Sequence, residues 1–239
     1  MSTAAWHRRL AALAIAGAAA IATPAGAAVP DAPAGTQRLA LLERARDAYL
    51  RPDTRSPYLT TVARRRPITG TRTMLPVLEL RAGRDGTTWL RVMLPGRPNG
   101  RTGWISSRFT KVARTSWRLR VDLSQRRVTV LRAGEQVRTF RAVIGSPSTP
   151  TPAGRFFVEE TIRFRRDQVG APYALALSAR SAVLEQFAGG PGQIGIHGLG
   201  NVGGVPGTAA SHGCMRLRDG PIRWLAARMG PGVPVTIVA

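Results

Sequence analysis

The chain has 239 residues, 44% of them hydrophobic, so it can bury one sizeable core or two smaller ones. Its formal charge of +22 is spread out: residues 28–115 carry +11 (17 basic, 6 acidic) and residues 116–239 carry +9 (16 basic, 7 acidic), which excludes an isolated basic tail. Such a field suits an anionic surface, although Lys111 is the only lysine and the arginine excess equally fits a compositional bias. A single cysteine, Cys214, excludes an internal disulfide.

Residues 1–28 have the order of a secretory signal peptide. His7, Arg8 and Arg9 precede an apolar run from Leu10 to Ala22, then Pro24 and the small residues Ala25 to Ala28, which predicts cleavage near Ala27 or Ala28. The run has 13 residues, short of the ~20 that span a bilayer. No cysteine near the cleavage point invites lipidation, and no later run is apolar enough to span. The expectation is an exported protein of the periplasm, cell wall or extracellular face of a bacterium, with no transmembrane anchor after cleavage and with nucleic acid excluded as a partner. Its oligomeric state is not legible.

Residues 29–50 read as a short Pro-containing linker and then a helix, because Leu41, Ala45, Ala48 and Tyr49 fall at helical spacing between Thr36 and Leu50. Residues 51–115 read as a small β module, with short apolar runs punctuated by Asp85-Gly86 and by Pro95 to Gly100. Trp89 to Val92 followed by Gly103-Trp104-Ile105 resembles the last strands of a bacterial SH3-like domain, which implies a wall-binding or spacer role; the two tryptophans read as core.

Residues 116–239 form a second β-rich unit. Trp117, Leu119, Val121 and Leu123 alternate with polar residues, Val128 to Ile144 reads as a hairpin around Ala133-Gly134, and Val233, Val235 and Ile237 alternate again. Between them Asp219 is positioned to cap a helix that holds Ile222, Leu225, Ala226 and Met229 on one face and stops at Gly230-Pro231-Gly232. The predicted fold class is mainly β with one short C-terminal helix, preceded by a small SH3-like β domain.

The chemistry concentrates in Ile194-Gly195-Ile196-His197-Gly198 and Ser211-His212-Gly213-Cys214-Met215-Arg216. A thiol nucleophile needs an imidazole to take its proton and N–H donors to meet the oxyanion. His197, at the end of an apolar strand-like run, is the better base, with His212 as the competitor; Gly213 and Cys214 offer N–H groups for the oxyanion, and Ser211 and His212 shape the pocket. No Asp or Glu lies between Glu185 and Asp219, so the group that orients His197 is a backbone carbonyl, such as that of Gly198, or a distant carboxylate.

At these residues the chain resembles the L,D-transpeptidase catalytic domain of YkuD type, whose hallmark is an upstream His-Gly and a downstream Ser/Thr-His-Gly-Cys followed by a hydrophobic residue and Arg or Asn. His197-Gly198 and Ser211 to Arg216 match it, and Gly145-Ser146-Pro147 with Thr149 to Phe156 matches a further run. Gly198 is a departure, because the family often carries Ser or Thr after that histidine. The resemblance implies that Cys214 attacks the carbonyl before a terminal D-alanine of a peptidoglycan stem peptide and that an amine of a second stem then takes the acyl group. It also implies that the second unit is a sandwich or barrel-like catalytic domain, that Arg216 and Gly198 face substrate, that carbapenem-type β-lactams acylate the same sulfur, and that no cofactor or metal is needed. Arg216 as a purely structural arginine stands beside that role.

Water as acceptor would make the chain an L,D-carboxypeptidase. A zinc hydrolase using His197, His212 and Cys214 would lack a nearby carboxylate as general base. A wall-binding protein with a degenerate second domain would not need the thiol and both histidines.

Overall fold

The structure, a computed structural model, describes residues 34–186 and 190–239. The expected signal peptide and most of the linker lie outside the described residues. Strands β1 (Gln37–Leu42), β2 (Arg46–Tyr49), β3 (Tyr58–Val62), β4 (Met74–Ala82), β5 (Thr88–Met93), β6 (Thr102–Ser106) and β7 (Thr110–Thr115) form one antiparallel sheet in the order β3-β2-β6-β5-β4-β1-β7.

Thr36 to Leu50 is therefore not helical. It supplies β1 and β2, and β1 pairs with β4 on one edge and β7 on the other. Tertiary pairing overrides the local spacing. Ala40 and Leu42 enter the core of this first unit, whereas Leu39 packs against Gly232 of the second, so β1 is buried on both faces and carries no simple alternation. Trp89 and Trp104 are 3% and 6% exposed, as expected of core residues.

The second unit contains β8 (Trp117–Asp122), β9 (Arg127–Arg132), β10 (Glu135–Arg141), β11 (Ile144–Gly145), β12 (Gly154–Arg163), β13 (Tyr173–Arg180), β14 (Gln193–Gly198), β15 (Ala209–Ser211), β16 (Met215–Leu217), helix α1 (Asp219–Ala226) and β17 (Pro234–Val238). Eight strands form a sheet in the order β10-β9-β8-β17-β12-β13-β14-β16, with β17 parallel to β8 and β14 parallel to β16. The β9–β10 hairpin turns through Ala133 and Gly134, both at positive φ. In α1 the N-cap position is Arg218, which makes no side-chain cap bond; Asp219 sits one residue inside, in the first turn, where a carboxylate complements the helix dipole. The helix ends at Ala226, before Gly230, and buries Ile222 and Leu225. Among the described residues no helix is long and apolar enough to cross a membrane.

Strand β12 ties the two units together. Phe156 and Val158 face the second core, whereas Phe157, on the other face, is buried in the core of the first unit beside Leu42, Val92 and Ile105. Glu159, with a fully buried side chain, then pairs with Arg66 of the first unit and with Arg180 of β13, 3.1 Å away. The carboxylate of Glu160 accepts from the Thr69 N–H and hydroxyl at 2.7 Å each. An ion buried in this way is tolerated because each charge has its partner.

Candidate active site

Parallel pairing of β14 and β16 sets Ile196 opposite Met215 and His197 opposite Arg216. Cys214, immediately before β16, thus comes to β14 beside Gly195, whose N–H donates to Sγ at 3.4 Å; the sulfur also lies 3.9 Å from the Gln193 carbonyl oxygen. His197 follows two residues later on the same strand, and residues two apart share a face. Cys214 and His197 thus stand two residues apart in register along the β14–β16 pair.

Nδ1 of His197 lies 2.8 Å from the Gly198 carbonyl oxygen. A carbonyl only accepts, so Nδ1 carries the proton and Nε2 is left as the basic nitrogen. The Gly198 N–H donates to the Gly170 oxygen at 2.9 Å, so both backbone polar groups of this buried residue are engaged. The Gly198 carbonyl holds the imidazole in place. Gly170, at φ +85°, leaves room for the ring: a Cβ there would come within 2.9 Å of Nδ1. Sequence reasoning gave Gly170 no role.

Burial pushes the His197 imidazole below its ordinary value, partly opposed by the Gly198 bond and reinforced by the Arg216 charge. Burial pushes the Cys214 thiol up, against the lowering effects of the Gly195 N–H and Arg216. Both shifts favour the neutral thiol and the neutral imidazole over their charged forms.

The turn that presents Cys214 is braced from several sides. The Ser211 hydroxyl donates to the Cys214 carbonyl at 2.5 Å and accepts from the Gly213 N–H at 3.2 Å. Ser211 is buried in this brace, and its hydroxyl takes up the Gly213 N–H. Thr149 Oγ1 donates to the Ser211 oxygen at 3.0 Å, and Thr151 Oγ1 to the Gly213 oxygen at 2.8 Å, while β11 pairs with β15. The threonine-proline run matched by resemblance alone thus acquires a mechanical role. His212 is exposed in the turn.

Arg216 is 8% exposed and its Nη1 donates to the Val202 and Gly203 carbonyls at 3.3 and 3.2 Å. Its guanidinium organises the Gly-rich loop before β15, and its charge acts on the sulfur and the ring. Among the described residues no three His, Cys, Asp or Glu side chains converge to hold a metal ion. A cavity of about 410 Å³ is lined by Arg163, Arg166, Ala171, Pro172, Tyr173 and Arg223.

These features define a mainly β protein whose thiol meets β14 at Gly195, two residues before the imidazole of His197 on the same strand of a mixed sheet. The profile of the L,D-transpeptidase catalytic domain (YkuD) matches residues 116–237, and the chain belongs to that family. It is 30% identical over 129 residues to L,D-transpeptidase 1 of Mycobacterium tuberculosis, covering 49% of this chain and 48% of that protein, so the chain spans about half the length of the curated relatives it matches. Among solved structures it is similar to L,D-transpeptidase 3 of Mycobacterium tuberculosis in complex with a faropenem-derived adduct, with 15% identity, a TM-score of 0.42, and 64% and 91% of the two chains covered. An L,D-transpeptidase from Mycobacterium smegmatis matches with 17% identity, a TM-score of 0.39, and coverage of 69% and 99%.

Proposed function

We propose that this protein is an exported peptidoglycan L,D-transpeptidase that works through an acyl-enzyme on Cys214. The observation that carries the reading is the single constellation of Cys214 Sγ against the Gly195 N–H, His197 two residues along β14, and the Gly198 carbonyl fixing the ring. As a donor stem peptide binds, Sγ attacks the carbonyl that precedes the terminal D-alanine and its proton passes to His197 Nε2. The oxyanion is met by main-chain N–H groups near the sulfur, with that of Cys214 the better candidate because Ser211 already takes the Gly213 N–H.

Collapse breaks the peptide bond, and D-alanine leaves with the proton held by His197. The amine of a second stem then attacks the thioester, His197 receives its proton, and that proton returns to the sulfur as the new amide is released. A carbapenem-type β-lactam would acylate the same sulfur when its strained ring opens, with no leaving group lost. The first unit has a spacer or wall-facing part in this reading.

Intact-mass analysis after a carbapenem, comparing the wild type with Cys214→Ala, tests the nucleophile. One adduct on the wild type alone is expected; adducts on both proteins would sink the proposal. Incubation with purified stem peptides then separates acceptors: a cross-linked dimer is expected, whereas trimming of D-alanine alone would make the protein a carboxypeptidase.

A further inference from the structure

The turn between β5 and β6 reaches out of the first unit and grips the second at a place that leads directly to the sulfur. Arg97 Nη1 donates to the Pro191 carbonyl at 2.9 Å, and Nη2 donates to the carbonyls of Ser181 at 2.8 Å and Leu184 at 3.1 Å. One planar guanidinium thus fixes the chain leaving β13 and the chain entering β14. A fork of donors in a rigid plane holds several oxygens in fixed relative positions, which a single ammonium cannot do. Two residues away, Asn99 makes a reciprocal pair with the main chain of Arg180: Nδ2 donates to its oxygen and Oδ1 accepts its N–H, both at 2.8 Å.

Arg180 is itself the cross-strand partner of Gln193, the first residue of β14. Pro191, held by Arg97, is two residues before Gln193, whose carbonyl faces the sulfur, and four before Gly195, whose N–H donates to it. We infer that Arg97 and Asn99 are positioning residues for the reaction: the first unit sets the start of β14 around Cys214, and the active site is complete only with both units together. The inference rests on the acyl-transfer reading above for its catalytic consequence, but not for its effect on the sulfur.

The test uses the full chain. Cys214 is the only thiol, so its alkylation by iodoacetamide, followed by intact mass across the neutral to alkaline range, reads the environment of that one sulfur. Arg97→Ala and Asn99→Ala should shift the alkylation profile to higher pH, because a displaced Gly195 N–H no longer favours the thiolate. Both should slow carbapenem acylation about tenfold or more, within the ~10²-fold that a 1 Å misplacement costs. Arg97→Lys should recover part of the rate and keeps the test open if Arg97→Ala does not fold. Thr69→Val, which removes a hydroxyl contact with Glu160 elsewhere on the same seam, should lower stability and leave both readouts at wild-type values. Wild-type profiles and rates in Arg97→Ala and Asn99→Ala, a downward shift, or an equal effect in Thr69→Val would overturn the inference. If the wild type takes no carbapenem while the alkylation profile shifts as expected, the enzymatic reading fails and the positioning role stands.

Discussion

Gly198 and Ala171 approach so closely that a Cβ on Gly198 would sit 1.9 Å from the Ala171 carbonyl oxygen. The family's frequent Ser or Thr at this position is incompatible with the backbone found here, which gives a physical reason for the departure seen in the sequence. Gly198→Ser must push the Ala171 backbone away or pull its own carbonyl off His197 Nδ1, and overpacking of this kind costs about 1–3 kcal/mol. Urea unfolding should show that loss, and carbapenem acylation should slow with it. A variant of wild-type stability and rate would refute the close approach.

The opposite displacements of the two titrating groups give a pH signature. The ordinary imidazole value is 6.5, and burial holds His197 below it; the ordinary thiol value is 9.0, and burial holds Cys214 above it. The reactive form, thiol plus neutral imidazole, is therefore present throughout the interval between those values. Acylation should be flat across neutral pH and decline only below 6.5 as the imidazole gains its proton. The same linkage acts on folding: the stability contributed by the uncharged ring is present above the unfolded value and is lost as pH falls through the lower folded one. An acid limb of the rate profile centred at or above the ordinary imidazole value would contradict this.

Thr151 is 4% exposed, accepts from the Gly145 N–H at 2.9 Å and donates to the Gly213 carbonyl at 2.8 Å. Thr151→Val keeps the shape and strands both partners, a cost of about 1–3 kcal/mol for a buried unsatisfied group. Because Gly213 directly precedes the nucleophile, the acylation rate should drop as well. Urea unfolding and stopped-quench mass measurements read the two effects separately, and a loss of stability alone would confine Thr151 to the scaffold.

The sequence made the second unit legible because its signals are local. Period-two alternation marks β8 and β17, the Ala133-Gly134 turn marks a hairpin, and a His-Gly with a distant His-Gly-Cys marks the site. What it concealed depends on contacts between distant segments. Leu41 and Ala48 look helical until β4, β6 and β7 pair around their strands. Gly170, Gly195 and Arg97 carry no chemistry in isolation and matter only through what the fold sets against them. Phe156 and Phe157 look equivalent, yet they serve different cores.

That last division gives the two units a strand in common, which should couple their unfolding. Phe157 is 1% exposed in the core of the first unit although it belongs to the main sheet of the second, so its removal leaves a cavity at the seam. Phe157→Ala should destabilise by about 3–5 kcal/mol, as for other buried phenylalanines. The more telling measurement is the shape of the transition. Tryptophans lie in both units, Trp89 and Trp104 in the first and Trp117 and Trp224 in the second. With those reporters removed singly, the wild type should still unfold in one coincident step, whereas Phe157→Ala should move the whole transition to lower urea and weaken the coupling. Two separated steps in the wild type would show that the units fold independently, and the seam formed by Phe157, Glu159 and Arg97 would then be an attachment and not a shared core.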